Sequence, residues 1–144
     1  MEDRKLLLME DDPFLIEWLE RVQKEHFANV QMIVVKSERE FLIRRVKLAE
    51  SGIHGIILDW MLPWEDGVEV DSLEFQDWRG DHFEAGIRIM DDIYNTAQLA
   101  TLPLLIYSAN DLSAIDLSKA RKPQTTYLRK DQPDHQLIQW VKRL

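Results

Sequence analysis

The feature that most constrains the fold is a series of five short runs of apolar and β-branched residues, separated by segments with helical periodicity. The runs occupy residues 6–9, 30–35, 56–58, 102–107 and 125–129. Continuous apolar runs of this length are typical of strands buried on both faces of a parallel sheet. Their alternation with helices predicts an α/β fold, a doubly wound five-stranded parallel sheet with helices on both faces.

The helical segments follow the strands and carry start signals of their own. Apolar residues recur at helical spacing within 14–22, 41–49, 87–97 and 137–144, and more weakly within 110–121. Asp12 is a candidate N-cap for the first helix, and Pro13 is compatible with its first turn. The run from Ser37 to Glu40 predicts a capping box at the start of the second helix.

Composition excludes several classes of function. The chain has 144 residues, no cysteine and a net charge of −8. The absence of cysteine excludes a disulfide scaffold, a thiolate zinc site and cysteine catalysis. The first apolar run is short and is followed by acids, so neither a signal peptide nor a membrane span is predicted. We expect a cytoplasmic protein with no membrane partner, and the acidic charge argues against direct nucleic-acid binding.

The charge is concentrated in residues 64–86, which hold eight acids and one arginine and therefore carry −7 of the net −8. Trp64, Phe75, Trp78 and Phe83 lie in the same segment. This composition predicts an acidic, aromatic-containing insertion between the third strand and the third helix. An ordered segment that selects a basic partner surface and a solvated surface loop are both compatible with the pattern.

Polar side chains follow four of the five predicted strands. Glu10 and Asp11 come after the first, Asp59 after the third, Ser108 after the fourth and Lys130 after the fifth. Because ligands in doubly wound folds bind at the carboxyl ends of the strands, these groups are expected to converge. Clustered carboxylates favour Mg²⁺, and an aspartate, a hard cation, a lysine and a hydroxyl are the parts used in phosphoryl transfer. Taken singly, the Glu10-Asp11 pair is equally compatible with a structural role, a lone aspartate such as Asp59 after an apolar run is structural more often than not, and Ser108 or Lys130 alone carries almost no signal.

Four motifs together resemble the receiver domain of two-component response regulators. They are LLLMEDDP with the acidic pair, GIILDWMLP with the phospho-acceptor, LPLLIYSA with the switch hydroxyl, and YLRKD with the site lysine. The resemblance covers nearly the whole chain except 64–86. It implies a flavodoxin-like fold of receiver type, with residues 1–144 forming a single receiver domain.

The resemblance also implies a role for each site residue. Asp59 would be the phospho-acceptor, Lys130 and Ser108 would bind the phosphoryl oxygens, and Tyr127 would be the switch aromatic. The implied Mg²⁺ ligands are Asp11, Asp59, the backbone carbonyl of Met61 and, through water, Glu10. Such a domain catalyses only its own phosphoryl transfer and dephosphorylation.

The implied partners are a sensor histidine kinase or phosphotransfer protein as donor and a downstream output protein or domain, with a homodimer as a further expectation. Two departures from the family pattern stand out. Asp131 occupies a position where proline is frequent, and Asp59 and Ser108 are 49 positions apart, which leaves room for the insertion.

Two alternatives stay open from the residues alone. One is a pseudo-receiver, a protein-interaction module without phosphorylation. The other is a hydrolase of the haloacid dehalogenase type, which needs a second acid two positions after its nucleophile. Met61 occupies that position here and argues against it.

Overall fold

The computed structural model describes residues 3–65, 85–109 and 124–144. Within these ranges the strands are β1 (Arg4–Met9), β2 (Val30–Val35), β3 (Gly55–Leu58), β4 (Leu104–Ser108) and β5 (Thr125–Arg129). The helices are α1 (Pro13–His26), α2 (Glu38–Glu50), α3 (Ala85–Tyr94) and α4 (Asp134–Lys142). The weak helix at 110–121 and residues 66–84 of the predicted insertion lie outside the described residues.

All paired strands are parallel, and their order across the sheet is β2-β1-β3-β4-β5. Side chains of β1 alternate between the two faces, so that Leu7 and Met9 join one core and Leu6 and Leu8 join the other. The first core also receives the buried sides of α2 and α3, and the second those of α1 and α4. This arrangement confirms the predicted doubly wound sheet.

Local signals define the starts of the first two helices as the sequence predicts. Asp12 caps α1, with its Oδ1 accepting from the Phe14 backbone N–H at 3.0 Å. Ser37 caps α2, with its Oγ accepting from the Glu40 backbone N–H at 3.0 Å. The Glu40 carboxylate reaches back to the Lys36 N–H at 3.0 Å, one residue earlier than in the standard capping box.

The bounds of several elements differ from the prediction, and those of β4 and α3 have a clear physical reason. The fourth strand begins at Leu104, because Pro103 has no N–H to contribute to the ladder. The third helix covers Ala85–Tyr94 instead of 87–97. It ends early because the chain turns at Thr96, whose hydroxyl donates to the Asp92 carbonyl at 2.8 Å. None of the four described helices has the length and apolar character needed to cross a bilayer.

The chain order creates a switch point beside β1. The connection after β1 leads to β2 on one side, and the connection after β2 returns to β3 on the other side. The carboxyl ends of β1 and β3 lie side by side, with Met9 paired to Leu58 in register. The crevice above these two residues is the expected position of a binding site in this fold.

Candidate functional site

Three carboxylates meet at the carboxyl ends of β1 and β3. Carboxylate oxygens of Glu10, Asp11 and Asp59 lie within 4.8 Å of one another. The Asp59 backbone N–H donates to the Met9 carbonyl at 2.9 Å, which continues the β1–β3 ladder into the site. Glu10 is 2% exposed and Asp59 is 8% exposed, so these charges are largely removed from water.

Lys130 supplies the positive charge that faces these acids. Its Nζ lies 2.8 Å from Glu10 Oε2 and 3.7 Å from Asp59 Oδ2. Its backbone N–H donates to the Ser108 carbonyl at 2.8 Å, which fixes the residue just beyond the end of β5. Ser108 is the last residue of β4 and is 1% exposed. The structure therefore brings the carboxylates of Glu10, Asp11 and Asp59 and the ammonium of Lys130 together, and a backbone hydrogen bond places Ser108 next to Lys130.

Both carboxylate oxygens of Glu10 have partners within the protein. Oε1 accepts from the backbone N–H groups of Asp11 at 3.2 Å and Asp12 at 3.1 Å. Oε2 accepts from the Lys130 ammonium. Because both oxygens already have partners, Glu10 is better placed to meet a cation through a bridging water than by direct contact.

The electrostatics of the site favour an added cation. Burial, followed by the neighbouring charge of Asp59, raises the pKa of Glu10 to about 7, despite the attraction of Lys130. Burial opposes the charge of Lys130, but Asp59 and Glu10 outweigh it and raise the pKa of the ammonium. Among the described residues, Lys130 is the base that faces these three clustered carboxylates. An oxygen-only donor set with excess negative charge fits a hard divalent ion such as Mg²⁺.

The predicted switch residues lie on one face of the sheet. Tyr127 is half-buried and packs against the core under α2 and α3, and it pairs with Ile106 of β4. Strand alternation places Ser108 on that same face, two residues beyond Ile106.

Met61 is half-buried against the same core, and its backbone N–H donates to Asp59 Oδ1 at 3.3 Å.

Sequence reasoning missed Tyr107, which directly precedes Ser108 in β4 and lies on the other face of the sheet. Tyr107 is 4% exposed in the core under α1 and α4. Burial and then the charge of Asp134 raise the pKa of its hydroxyl. The charge of Lys130 lowers this pKa and the charge of Glu10 raises it. The sequence signal that could have identified Tyr107 is its position directly before Ser108, because successive side chains of a strand point to opposite faces of the sheet.

Trp60 was also missed, although it directly follows Asp59. It is 3% exposed, and its indole fills the space that a Cβ on Gly86 would occupy. The Gly86 backbone N–H donates to the Trp60 carbonyl at 3.0 Å. The first turn of α3 is therefore fixed against the residue next to Asp59.

Comparisons with solved structures agree with the observed fold. No family model and no curated protein sequence matches the chain. Among solved structures, a signal receiver domain of two-component signal transduction from Clostridium thermocellum superposes with a TM-score of 0.71 at 18% identity, covering 98% of this chain and 96% of that one. The chain has the receiver-domain fold.

Two further receiver domains give the same result. The receiver domain of a Francisella response regulator matches with a TM-score of 0.67 at 20% identity, covering 97% of this chain and 94% of that one. The receiver domain of a sensor histidine kinase from Pseudomonas aeruginosa matches with a TM-score of 0.63 at 19% identity, covering 97% and 95%. That neighbour is described with a magnesium ion coordinated in its active-site cleft.

Proposed function

We propose that this chain is a phosphorylation-dependent signalling switch, a single receiver domain over residues 1–144 with residues 64–86 as an acidic insertion. Asp59 accepts a phosphoryl group from a sensor histidine kinase or a phosphotransfer protein. The observation that carries the proposal is the convergence of Glu10, Asp11, Asp59 and Lys130 at the carboxyl ends of the strands in a receiver-type fold.

Asp59 is the group best placed to be the nucleophile. It follows β3 at the switch point, and its Oδ2 lies 3.7 Å from Lys130 Nζ. Glu10 is held by three donors, so it is less free to attack. In the transfer, a bond forms between an Asp59 oxygen and phosphorus while the phosphorus–nitrogen bond of the phosphohistidine breaks. The donor imidazole leaves with that electron pair and takes up a proton.

The donor set of the site fits Mg²⁺, as the three clustered carboxylates and their excess negative charge indicate. Asp11, Asp59 and the backbone carbonyl of Met61 would hold the ion, with Glu10 acting through water. When bound, the ion supplies positive charge that neutralises the phosphoryl oxygens.

Lys130 and Ser108 bind the remaining phosphoryl oxygens in this proposal. The Lys130 ammonium is already in the site, and a backbone hydrogen bond to Ser108 connects the ends of β4 and β5. A shift of the Ser108 hydroxyl toward the phosphoryl group would change the space available to Tyr127, which shares its sheet face. The surface presented to an output protein then changes by a shift between two populated conformations.

The test is labelling with acetyl phosphate and Mg²⁺, read by intact-protein mass spectrometry. We expect a single phosphoryl adduct in the wild type and none in Asp59→Asn, which keeps the shape of the side chain but removes its charge. Asp91→Asn, at an exposed acid on α3, is the matched control and should label like the wild type.

Labelling of Asp59→Asn at the wild-type rate would show that another residue accepts the phosphoryl group. A folded wild type that takes no phosphoryl group from acetyl phosphate or from a panel of phosphorylated histidine kinases would overturn the proposal. That result would favour an interaction module without phosphorylation.

A further inference from the structure

Helix α2 presents an apolar face to solvent that no described element covers. Ile43 is 72% exposed and Val46 is 65% exposed, and their spacing of three places them on one side of the helix. Arg39 lies about one turn before Ile43, and exposed Lys47 follows Val46. These four residues form what we term the α2 face. A groove of about 410 Å³ opens at its N-terminal end, lined by Ser37, Arg39, Glu40, Ile43, Arg44 and Glu65.

Residues 66–84 of the acidic insertion, here called the acidic segment, begin directly beside this groove. The Pro63 carbonyl accepts from the Glu38 backbone N–H at 2.8 Å, and the Trp64 carbonyl accepts from the Arg39 N–H at 2.9 Å. The Glu65 carboxylate pairs with the Arg39 guanidinium. The last described residues before 66–84 are therefore held on the first turn of α2.

The chain also returns from the acidic segment next to α2. Arg88, in the first turns of α3, makes a two-pronged ion pair with Glu38, with Nη2–Oε1 at 2.9 Å and Nε–Oε2 at 3.1 Å. The Glu38 side chain is fully buried in this contact. Both ends of the segment thus lie close to the N-terminal turn of the same helix.

The composition of residues 66–84 complements the α2 face. They contain seven acids and one arginine, a net charge of −6, together with valine, leucine, phenylalanine and tryptophan side chains. Two exposed bases of α2, Arg39 and Lys47, flank the apolar pair Ile43 and Val46. From Arg39 to Val46 the helix rises about 10 Å. Nineteen residues of chain are ample to span that distance and return.

We infer that the acidic segment 66–84 docks in cis on the α2 face, with its apolar side chains against Ile43 and Val46 and its acids near the bases of the helix. The occupant is the chain's own segment, because both of its ends are held close to the first turn of α2 and its net negative charge is opposite to that of Arg39 and Lys47 on the α2 face. The docking does not depend on phosphorylation of Asp59.

The test uses paramagnetic broadening of NMR signals, for which the cysteine-free chain is well suited. A spin label on Lys47→Cys lies on the α2 face itself and leaves Arg39, Ile43 and Val46 in place. We expect it to broaden backbone amide signals of residues 66–84. The matched control is a label on Phe14→Cys, which is 81% exposed on α1 across the sheet, and which should leave those signals sharp.

A second variant separates docking from chance proximity. Ile43→Asp combined with Val46→Asp removes the apolar contacts and adds charge of the same sign as the segment. These positions are exposed, so the fold should persist, and the broadening from the Lys47→Cys label should be lost. Broadening that survives this double substitution would overturn the inference, as would equal effects of the two label positions.

A mixed sample identifies the occupant. Spin-labelled protein at natural isotope abundance is mixed with isotope-enriched protein that carries no spin label. In this mixture only contacts between two copies can cause broadening. We expect no broadening of residues 66–84 in this mixture. Broadening there would show that the α2 face binds the segment of a second copy and would refute docking in cis.

Discussion

Glu10→Gln should change how the stability of the protein depends on pH. Glu10 is 2% exposed and lies beside Asp59 and Lys130. Burial and then Asp59 raise the pKa of Glu10 from 4.5 to about 7 in the folded protein. Between these two pH values the unfolded chain has lost the proton and the folded protein still binds it. The free energy of unfolding of the wild type therefore falls as pH rises through this window.

The magnitude follows from the same interval. Each pH unit between the unfolded and folded pKa corresponds to about 1.4 kcal/mol, so the contribution of Glu10 declines by about 3 kcal/mol from pH 4.5 to pH 7. Glutamine keeps the shape of the side chain and does not titrate. Any constant cost of placing an amide beside Lys130 cancels when the pH dependence alone is compared.

The assay is urea unfolding of both proteins from pH 4.5 to pH 8 at constant ionic strength with EDTA. The wild type should lose about 3 kcal/mol relative to Glu10→Gln across this range. Glu17→Gln, at an exposed acid of α1, should follow the wild type. Parallel curves for wild type and Glu10→Gln would refute the reasoning. Added Mg²⁺ should flatten the wild-type decline, because a cation favours the ionised carboxylates.

Three further substitutions test contacts that support the site. Arg88→Ala leaves the buried Glu38 carboxylate without its partner and should cost about 3–5 kcal/mol in urea unfolding, and a loss below 1 kcal/mol would contradict the buried pair. Gly86→Ala forces a Cβ into the Trp60 indole and should cost about 1–3 kcal/mol with a change in tryptophan emission, whereas wild-type stability and emission would exclude the contact. Asp12→Ala removes the α1 cap and should lower the unfolding free energy by about 1 kcal/mol, so an unchanged urea midpoint would count against that role.

Sequence reasoning predicted the fold well where the signal is local. Strand β2 has the predicted bounds, because a short run rich in β-branched and other apolar residues, flanked by polar residues, is visible without knowledge of the fold. The caps at Asp12 and Ser37 were equally visible, since a cap bonds to a residue two or three positions away. The start of β4 was misplaced because apolar character alone does not register that Pro103 lacks the N–H for pairing.

The sequence by itself determined which groups stand at the strand ends, and the tertiary structure decided which of them touch. Lys130 lies closer to Glu10 than to Asp59, a preference that depends on the positions of two strand ends separated by 120 residues. Tyr107 lies on the opposite face of the sheet, yet the charges of Lys130 and Glu10 influence the pKa of its hydroxyl. Glu38 has the sequence position of an ordinary acid in a first helical turn, yet it is fully buried against Arg88, 50 residues later. The local sequence pattern specifies the conformation of a single segment. The pairings of Lys130 with Glu10 and of Arg88 with Glu38 depend on how distant segments pack together, and no short stretch of sequence specifies that packing.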